Sequence, residues 1–167
     1  NRPERPLPSG ELKVRSAAAW ASVLLAIGLA SASLVSAICT AFAGLAALLG
    51  ALYNRSLKRT GLPGNVVVAA IVSLPFVYGW LAVGGGDRPL LWLFSITAFC
   101  AILGREVLKG MADVKGDSKK GIRTVAVAKG MRTAAFATTG LFVVAILLSF
   151  LPLLMELVSM IYLPLII

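Results

Sequence analysis

The sequence predicts an all-α protein that crosses the membrane several times. Hydrophobic residues make up 59% of its 167 residues, whereas soluble domains contain roughly 45–50%. The mean hydropathy is +0.91. A chain of this length cannot bury such an excess in a soluble fold, because about a third of the surface of its unfolded chain stays exposed after folding. Composition therefore excludes an ordinary soluble domain, and it also excludes a disordered chain, which requires low hydrophobicity.

Six apolar runs follow one another along the chain. A transmembrane helix needs about 20 mainly apolar residues, and the first, second, third and fifth runs are long enough. The fourth run is short unless it extends through Arg105 to Lys109, where long basic side chains can reach the membrane interface. The sixth run stops at the last residue. The runs cover residues 16–35, 37–53, 66–83, 90–103, 133–151 and 153–167.

The basic residues lie on alternate connections between these runs. Segments 1–15, 54–65 and 105–132 contain 15 of the 16 Lys and Arg residues, and Arg88 is the remaining one. If every run spans, these three segments share one side of the membrane, and Lys and Arg concentrate on the cytoplasmic side. We therefore expect a polar cytoplasmic segment at 1–15 and a transmembrane bundle at 16–167. Its cytoplasmic loops would be 54–65 and 105–132, and its external loop 84–89.

Several kinds of site are excluded by residues that are missing or rare. The chain has no His, so neither His-based acid–base catalysis nor a His-ligated metal is possible. Its two cysteines, Cys39 and Cys100, each lie in an apolar run. This placement argues against a disulfide framework or a zinc site and favours small packed side chains.

The polar segment after the fourth run contains the candidate catalytic residues. Asp113 and Asp117 are four residues apart and would lie one turn apart on one helix face. Two such carboxylates suit Mg²⁺, which binds a few carboxylates together with phosphate oxygens and water. Arg105 and Lys109, at the same spacing, suit a phosphate group. A solvated helix with a Lys109–Asp113 pair fits the spacing equally well, but ionisable residues at a membrane boundary favour a diphosphate site.

Three other segments contain candidate substrate-binding residues. Tyr53 ends the second run, and Asn54 and Lys58 follow it. An interfacial Tyr and a cytoplasmic charge would also be expected at this place. Segment 116–121 resembles a phosphate loop, but Ile122 stands where that motif requires Lys. The proline-rich segment 1–10 is extended rather than helical, and its arginines suit phosphate. The basic candidates in these last two segments are Lys119, Lys120, Arg2 and Arg5.

Together these segments resemble the UbiA family of intramembrane prenyltransferases. The family has an arginine-proline segment, a Tyr and Lys pattern followed by Gly-Asn, and a second DxxxD motif with a Gly-x-x-Thr tail. The corresponding segments here are 1–10, Tyr53 to Lys58 with Gly64-Asn65, and Asp113 to Asp117 with Gly121 to Thr124. The family's first aspartate-rich motif and the two helices around it would precede Asn1. The resemblance thus implies about six helices, the C-terminal part of a bundle of eight or nine.

The resemblance also implies a reaction. A prenyl group, geranylgeranyl in this case, would move from its diphosphate to a lipid acceptor such as geranylgeranylglyceryl phosphate. Mg²⁺ would be the cofactor, with Asp113 and Asp117 as its ligands and Lys109 and Arg105 beside them. The second motif of family members that act on 4-hydroxybenzoate is richer in aspartate. The motif from Asp113 to Asp117 is more similar to that of the family members that make archaeal ether lipids. The residues expected to bind substrate are Arg2, Arg5, Tyr53, Asn54, Lys58, Lys119 and Lys120.

Other functions stay open at this point. An aromatic acceptor, such as 4-hydroxybenzoate or a quinone precursor, is the alternative substrate. A transporter is disfavoured because the helix interiors lack charges apart from Glu156. A non-catalytic membrane scaffold is the third possibility, if the first aspartate motif is absent from the whole protein. We expect a protein of the cell membrane whose active site faces the cytoplasm, with membrane lipids as partners and no nucleic acid.

Overall fold

A computed structural model describes residues 6–86 and 89–165. Within these residues the chain is helical and contains no strand. Arg2, Arg5 and Arg88 lie outside the described residues. The seven α-helices of the described part are α1 Val14–Val35, α2 Ala37–Arg55, α3 Leu62–Ala82, α4 Pro89–Ala112, α5 Val114–Lys119, α6 Val125–Lys129 and α7 Met131–Leu154, and two 3₁₀ helices cover Leu57–Arg59 and Met160–Leu165.

Five of these helices are long and apolar enough to cross a membrane: α1, α2, α3, α4 and α7. The fourth apolar run does extend beyond Lys109, since α4 continues to Ala112. The sixth run differs from expectation, because no spanning helix forms in its described residues. Leu154 ends α7, and only the 3₁₀ helix Met160–Leu165 follows.

A Schellman motif explains why α7 stops where it does. Glu156 adopts a left-handed conformation with φ of 56°. The Leu157 N–H donates to the Pro152 carbonyl at 2.9 Å, and the Glu156 N–H donates to the Leu153 carbonyl at 3.1 Å. These two bonds satisfy carbonyls that the helix end leaves without partners and turn the chain away from the helix axis. The apolar run therefore continues in sequence while the helix does not.

The chain divides into two compact units between Ala47 and Leu48. In the first unit, Ser36 separates α1 from α2: its backbone is extended, and its hydroxyl oxygen accepts the N–H of Cys39 at 3.1 Å. This is an N-cap, which favours the start of a new helix. The first unit contains α1 and the beginning of α2.

The second unit is built around α4, which packs against α3 on one side and α7 on the other. Small residues allow the close approach that membrane helices use. A Cβ on Gly104 would lie 3.2 Å from the Phe142 ring of α7. The Ser95 hydroxyl of α4 donates to the Ser73 carbonyl of α3 at 3.2 Å.

A small buried core lies where α4 meets α6 and α7. Val107, Ala126 and Ala134 are buried there. The segment 105–132, expected as a loop, is thus partly helical: it contains the last turns of α4 together with α5 and α6. Because Ala126 of α6 is buried in this core, this part of the segment packs against α4 and α7.

Candidate functional site

The connection between α2 and α3 packs against the segment that follows α5, at one end of the helices of the second unit. Gly61, between α2 and α3, has φ of +74°, and a Cβ there would overlap the carbonyl of Arg123. Gly110 lies near the end of α4, and a Cβ there would lie 3.3 Å from the Thr124 side chain. Glycine is required at Gly61 both for its backbone conformation and for this close approach. The segment after α5 therefore lies against both Gly61 and Gly110.

The start and end of α5 place the two aspartates. Asp113 lies between α4 and α5, and its carbonyl accepts the Asp117 N–H at 2.9 Å. The two residues are thus one turn apart, as the spacing predicts. At the other end of α5, Gly121 adopts φ of +69° and the Ile122 N–H donates to the Asp117 carbonyl at 2.9 Å. This second Schellman motif directs the chain toward Thr124.

These elements enclose an open cavity with a polar wall. The end of α2 and the following connection contribute to it, as do the start of α3, the end of α4 and the segment around α5. All of its wall belongs to the second unit. The lining residues are Tyr53, Lys58, Gly61, Asn65, Glu106, Lys109, Gly110, Asp113, Asp117, Ile122 and Thr124.

Glu106 forms ion pairs with two basic side chains at the end of α4. It is only 8% exposed, and its two carboxylate oxygens accept from Arg105 at 3.3 Å and from Lys109 at 3.2 Å. Lys109 remains 59% exposed, so its other N–H groups can reach a ligand. A charge-assisted bond to a buried carboxylate limits the positions of the lysine ammonium group. Lys109 pairs with Glu106 in this structure, rather than with Asp113.

The carboxyl group of Asp117 is a weaker acid than an ordinary aspartate, because its pKa is raised. Partial burial raises its pKa above the ordinary value, and the negative charge of Asp113 raises the pKa further. Lys120 and Lys109 act in the opposite direction and lower it. The negative charges of the two carboxylates therefore repel each other, and a bound cation would relieve this repulsion.

Two further polar groups line the cavity. Thr124 is buried and caps α6, since its hydroxyl oxygen accepts the Val127 N–H at 3.3 Å. Asn65 lies in the first turn of α3, and its side-chain Nδ2 group is buried without a hydrogen-bond partner among the described residues. The wall thus combines carboxylates, ammonium groups and a neutral donor.

Five of the candidates chosen from the sequence come together at this cavity: Tyr53, Lys58, Lys109, Asp113 and Asp117. The cavity wall does not include Asn54, Arg105, Lys119 or Lys120, although Arg105 contacts Glu106. Arg2 and Arg5 lie outside the described residues.

Sequence reasoning did not select several residues of the wall. Glu106 could have been found as an acidic residue three positions before Lys109 at the end of an apolar run. Asn65 and Thr124 stand in the Gly-Asn and Gly-x-x-Thr patterns already compared with the family. No charged or reactive side chain marks Gly61, Gly110 or Ile122 in the sequence. They line the cavity because of contacts between segments that are distant in sequence.

Comparison with known proteins gives a consistent result. The model of the UbiA prenyltransferase family matches residues 1–167. Digeranylgeranylglyceryl phosphate synthases are similar: that of Methanopyrus kandleri is 42% identical over 83% of this chain and 51% of its own length. Those of Thermococcus gammatolerans and Natronomonas pharaonis are 40% and 34% identical, over 91% and 98% of this chain and 54% and 58% of their own lengths.

A solved structure described as giving structural and mechanistic insights into digeranylgeranylglyceryl phosphate synthase in membranes is also similar. It matches with a TM-score of 0.74 and 30% identity, covering 99% of this chain and 58% of that one. The chain thus spans about half the length of the relatives it matches. Its apolar helices and these relatives identify a multi-pass membrane protein. The chain belongs to the UbiA prenyltransferase family.

Proposed function

We propose that this chain forms part of the active site of an intramembrane prenyltransferase. The enzyme transfers a geranylgeranyl group from its diphosphate to a phosphate-bearing glycerol lipid such as geranylgeranylglyceryl phosphate. The observation that carries this proposal is the cavity of the second unit, which is lined by three carboxylates and by two ammonium groups, Lys58 and Lys109, from separate connections. The names of the similar synthases support the choice of acceptor.

The donor set of the cavity fits Mg²⁺. Asp113 and Asp117 supply hard carboxylate oxygens one turn apart, and partial burial together with the charge of Asp113 raises the pKa of Asp117. Among residues 6–86 and 89–165, no group of three or more His, Cys, Asp or Glu residues could hold a metal by itself. Diphosphate oxygens and water would therefore complete the coordination, which is the usual arrangement for Mg²⁺. Held by Asp113 and Asp117, such an ion would supply positive charge against the diphosphate.

The lysines have a separate role in the proposed reaction. The bond between prenyl C1 and the diphosphate oxygen breaks, and the diphosphate departs with the electron pair. The acceptor hydroxyl oxygen then forms a bond to C1, and its proton passes to the departing diphosphate. Lys58 and Lys109 donate hydrogen bonds to the departing diphosphate, placing positive charge where negative charge develops. Glu106 holds Lys109 at the cavity wall through its 3.2 Å contact.

We also propose that this cavity faces the cytoplasm. The two connections that build it contain Lys58, Lys109 and most other basic residues of the second unit. Lys and Arg concentrate on the cytoplasmic side of membrane proteins. The same basic residues thus support both the chemistry of the site and its cytoplasmic orientation.

The function is tested with the full-length protein in proteoliposomes. Labelled geranylgeranyl diphosphate is supplied with Mg²⁺ and with equal amounts of geranylgeranylglyceryl phosphate and 4-hydroxybenzoate. We expect labelled prenylated glycerol lipid, and no product after chelation of Mg²⁺. Prenylation of 4-hydroxybenzoate in its place would support the aromatic acceptor, and the absence of any prenylated product would refute the proposed function.

A further inference from the structure

Asn65 is the one polar residue of the described cavity wall with a buried atom that lacks a partner. Its Nδ2 group has essentially no solvent-accessible surface and no hydrogen-bond partner among the described residues. Most buried side-chain donors in proteins are hydrogen-bonded. A donor left without a partner at a cavity wall therefore indicates a ligand that supplies the acceptor.

The backbone around Asn65 is fixed. Its N–H donates to the Gly61 carbonyl at 3.1 Å. A Cβ on the adjacent Gly64 would overlap the Leu57 carbonyl. Gly61 in turn lies against Arg123. The amide group is thus carried by a tightly packed helix start.

Two other polar side chains of the cavity wall have partners within the protein. The Thr124 hydroxyl accepts the Val127 N–H, and Lys109 contacts Glu106. Asp113 and Asp117 are acceptors in the same wall, but neither side chain forms a hydrogen bond with Asn65. The amide therefore remains available in a cavity whose lysines favour an anionic ligand.

We propose that Asn65 is a substrate-contacting residue whose side-chain amide donates a hydrogen bond to a phosphate oxygen. This inference rests on the proposed function and deepens it. A neutral amide adds no long-range attraction, so its contribution is to the orientation of the bound group. The phosphate belongs either to the prenyl diphosphate or to the lipid acceptor, and both have the same acceptor chemistry.

The test compares two substitutions of nearly equal size in the full-length protein. Asn65→Leu removes the donor, and Asn65→Asp replaces it with a negative charge. Binding of inorganic pyrophosphate, geranylgeranyl diphosphate and geranylgeranylglyceryl phosphate is measured by titration in detergent. Thr97→Val is the matched control, because Thr97 bonds only the Leu93 carbonyl within α4 and does not line the cavity.

We expect Asn65→Leu to weaken one of the two lipid ligands by about ten- to a hundredfold, the usual effect of losing a hydrogen bond to a charged group. Asn65→Asp should weaken it further because of charge repulsion. If pyrophosphate and the prenyl diphosphate weaken together, the amide contacts the donor. If only the glycerol lipid weakens, it contacts the acceptor.

Unchanged binding of all three ligands in both variants would overturn the inference. Asn65→Asp keeps the shape of the residue and a polar side chain, so it tests the inference even if Asn65→Leu fails to fold. The proposed function can fail separately from this inference. A wild-type protein that binds pyrophosphate tightly but transfers no prenyl group would refute prenyl transfer. The contact of Asn65 with phosphate could still be measured in that protein. A wild-type protein that binds none of the three ligands would overturn both.

Discussion

Two lysines from different connections, Lys58 and Lys109, line one cavity. Sequence alone offers two explanations for them, since positive charge also marks the cytoplasmic ends of membrane helices. The structure adds a specific contact: Lys109 lies 3.2 Å from a carboxylate oxygen of the buried Glu106. A charge that serves only for orientation needs no such contact. This contact supports the proposed binding role of Lys109 in addition to a topological one.

Replacing either lysine separates these two roles. Lys58→Ala and Lys109→Ala should weaken prenyl diphosphate binding by about ten- to a hundredfold, because a charge-assisted contact is lost. Lys58→Arg and Lys109→Arg should restore affinity only in part, since the planar guanidinium does not reproduce the compact ammonium group. Titration with prenyl diphosphate measures both effects. Lys115→Ala is the control, because Lys115 lies on the same connection but outside the cavity wall. Unchanged affinity in both Ala variants would favour the purely topological role.

At the scale of the elements, the long helices and the aspartate pair could be predicted because both depend on local pattern. Apolar runs have the length of a membrane span, and a spacing of four residues places Asp113 and Asp117 one turn apart. The end of α7 at Leu154 was not predictable in this way. It depends on a left-handed Glu156, where a glycine would be the usual signal.

The rest of the cavity wall depends on contacts between segments distant in sequence. Asn65 and Thr124 come to one wall because Gly61 and Gly110 allow the connection after α5 to approach. No local pattern contains that information. The position of Glu106, three residues before Lys109, is a local signal, but only the packed structure shows that its carboxylate is buried beside that lysine.

The close approach at Gly61 gives a prediction for stability. Gly61→Ala should destabilise the folded protein by about 1–3 kcal/mol, because its φ of +74° is strained for alanine and the added methyl overlaps the Arg123 carbonyl. Gly116→Ala is the matched control: this glycine lies in α5 with nothing within 4 Å of the added Cβ. Thermal unfolding in detergent compares the two. Equal melting temperatures would show that the two connections are not held together as described.

At the scale of the whole molecule, the second unit contains every described residue of the cavity. The basic residues of that unit gather at the cavity end of its helices, in segments 54–65 and 105–132. The chain also spans only about half the length of its relatives. The activity proposed for the full-length protein therefore has to be measured on that protein, while the side of the membrane can be assigned from the second unit.

Cysteine labelling assigns that side. In a background without Cys39 and Cys100, Ser118→Cys should be protected from an impermeant thiol reagent added outside intact cells. Val83→Cys, at the opposite end of α3, should react. The expectation follows from the concentration of Lys and Arg on the cytoplasmic side. The opposite labelling pattern would place the cavity outside.

Prenyl transfer by aspartate variants of the full-length protein bears most directly on the central claim, that Asp113 and Asp117 bind the diphosphate through Mg²⁺. Transfer from geranylgeranyl diphosphate is measured across a Mg²⁺ titration for Asp113→Asn and Asp117→Asn, with Glu156→Gln as a control at the exposed end of α7. We predict that each Asn variant loses at least about tenfold in transfer rate and needs more Mg²⁺, while remaining folded. Wild-type transfer rates and Mg²⁺ dependence in both Asn variants would contradict the claim.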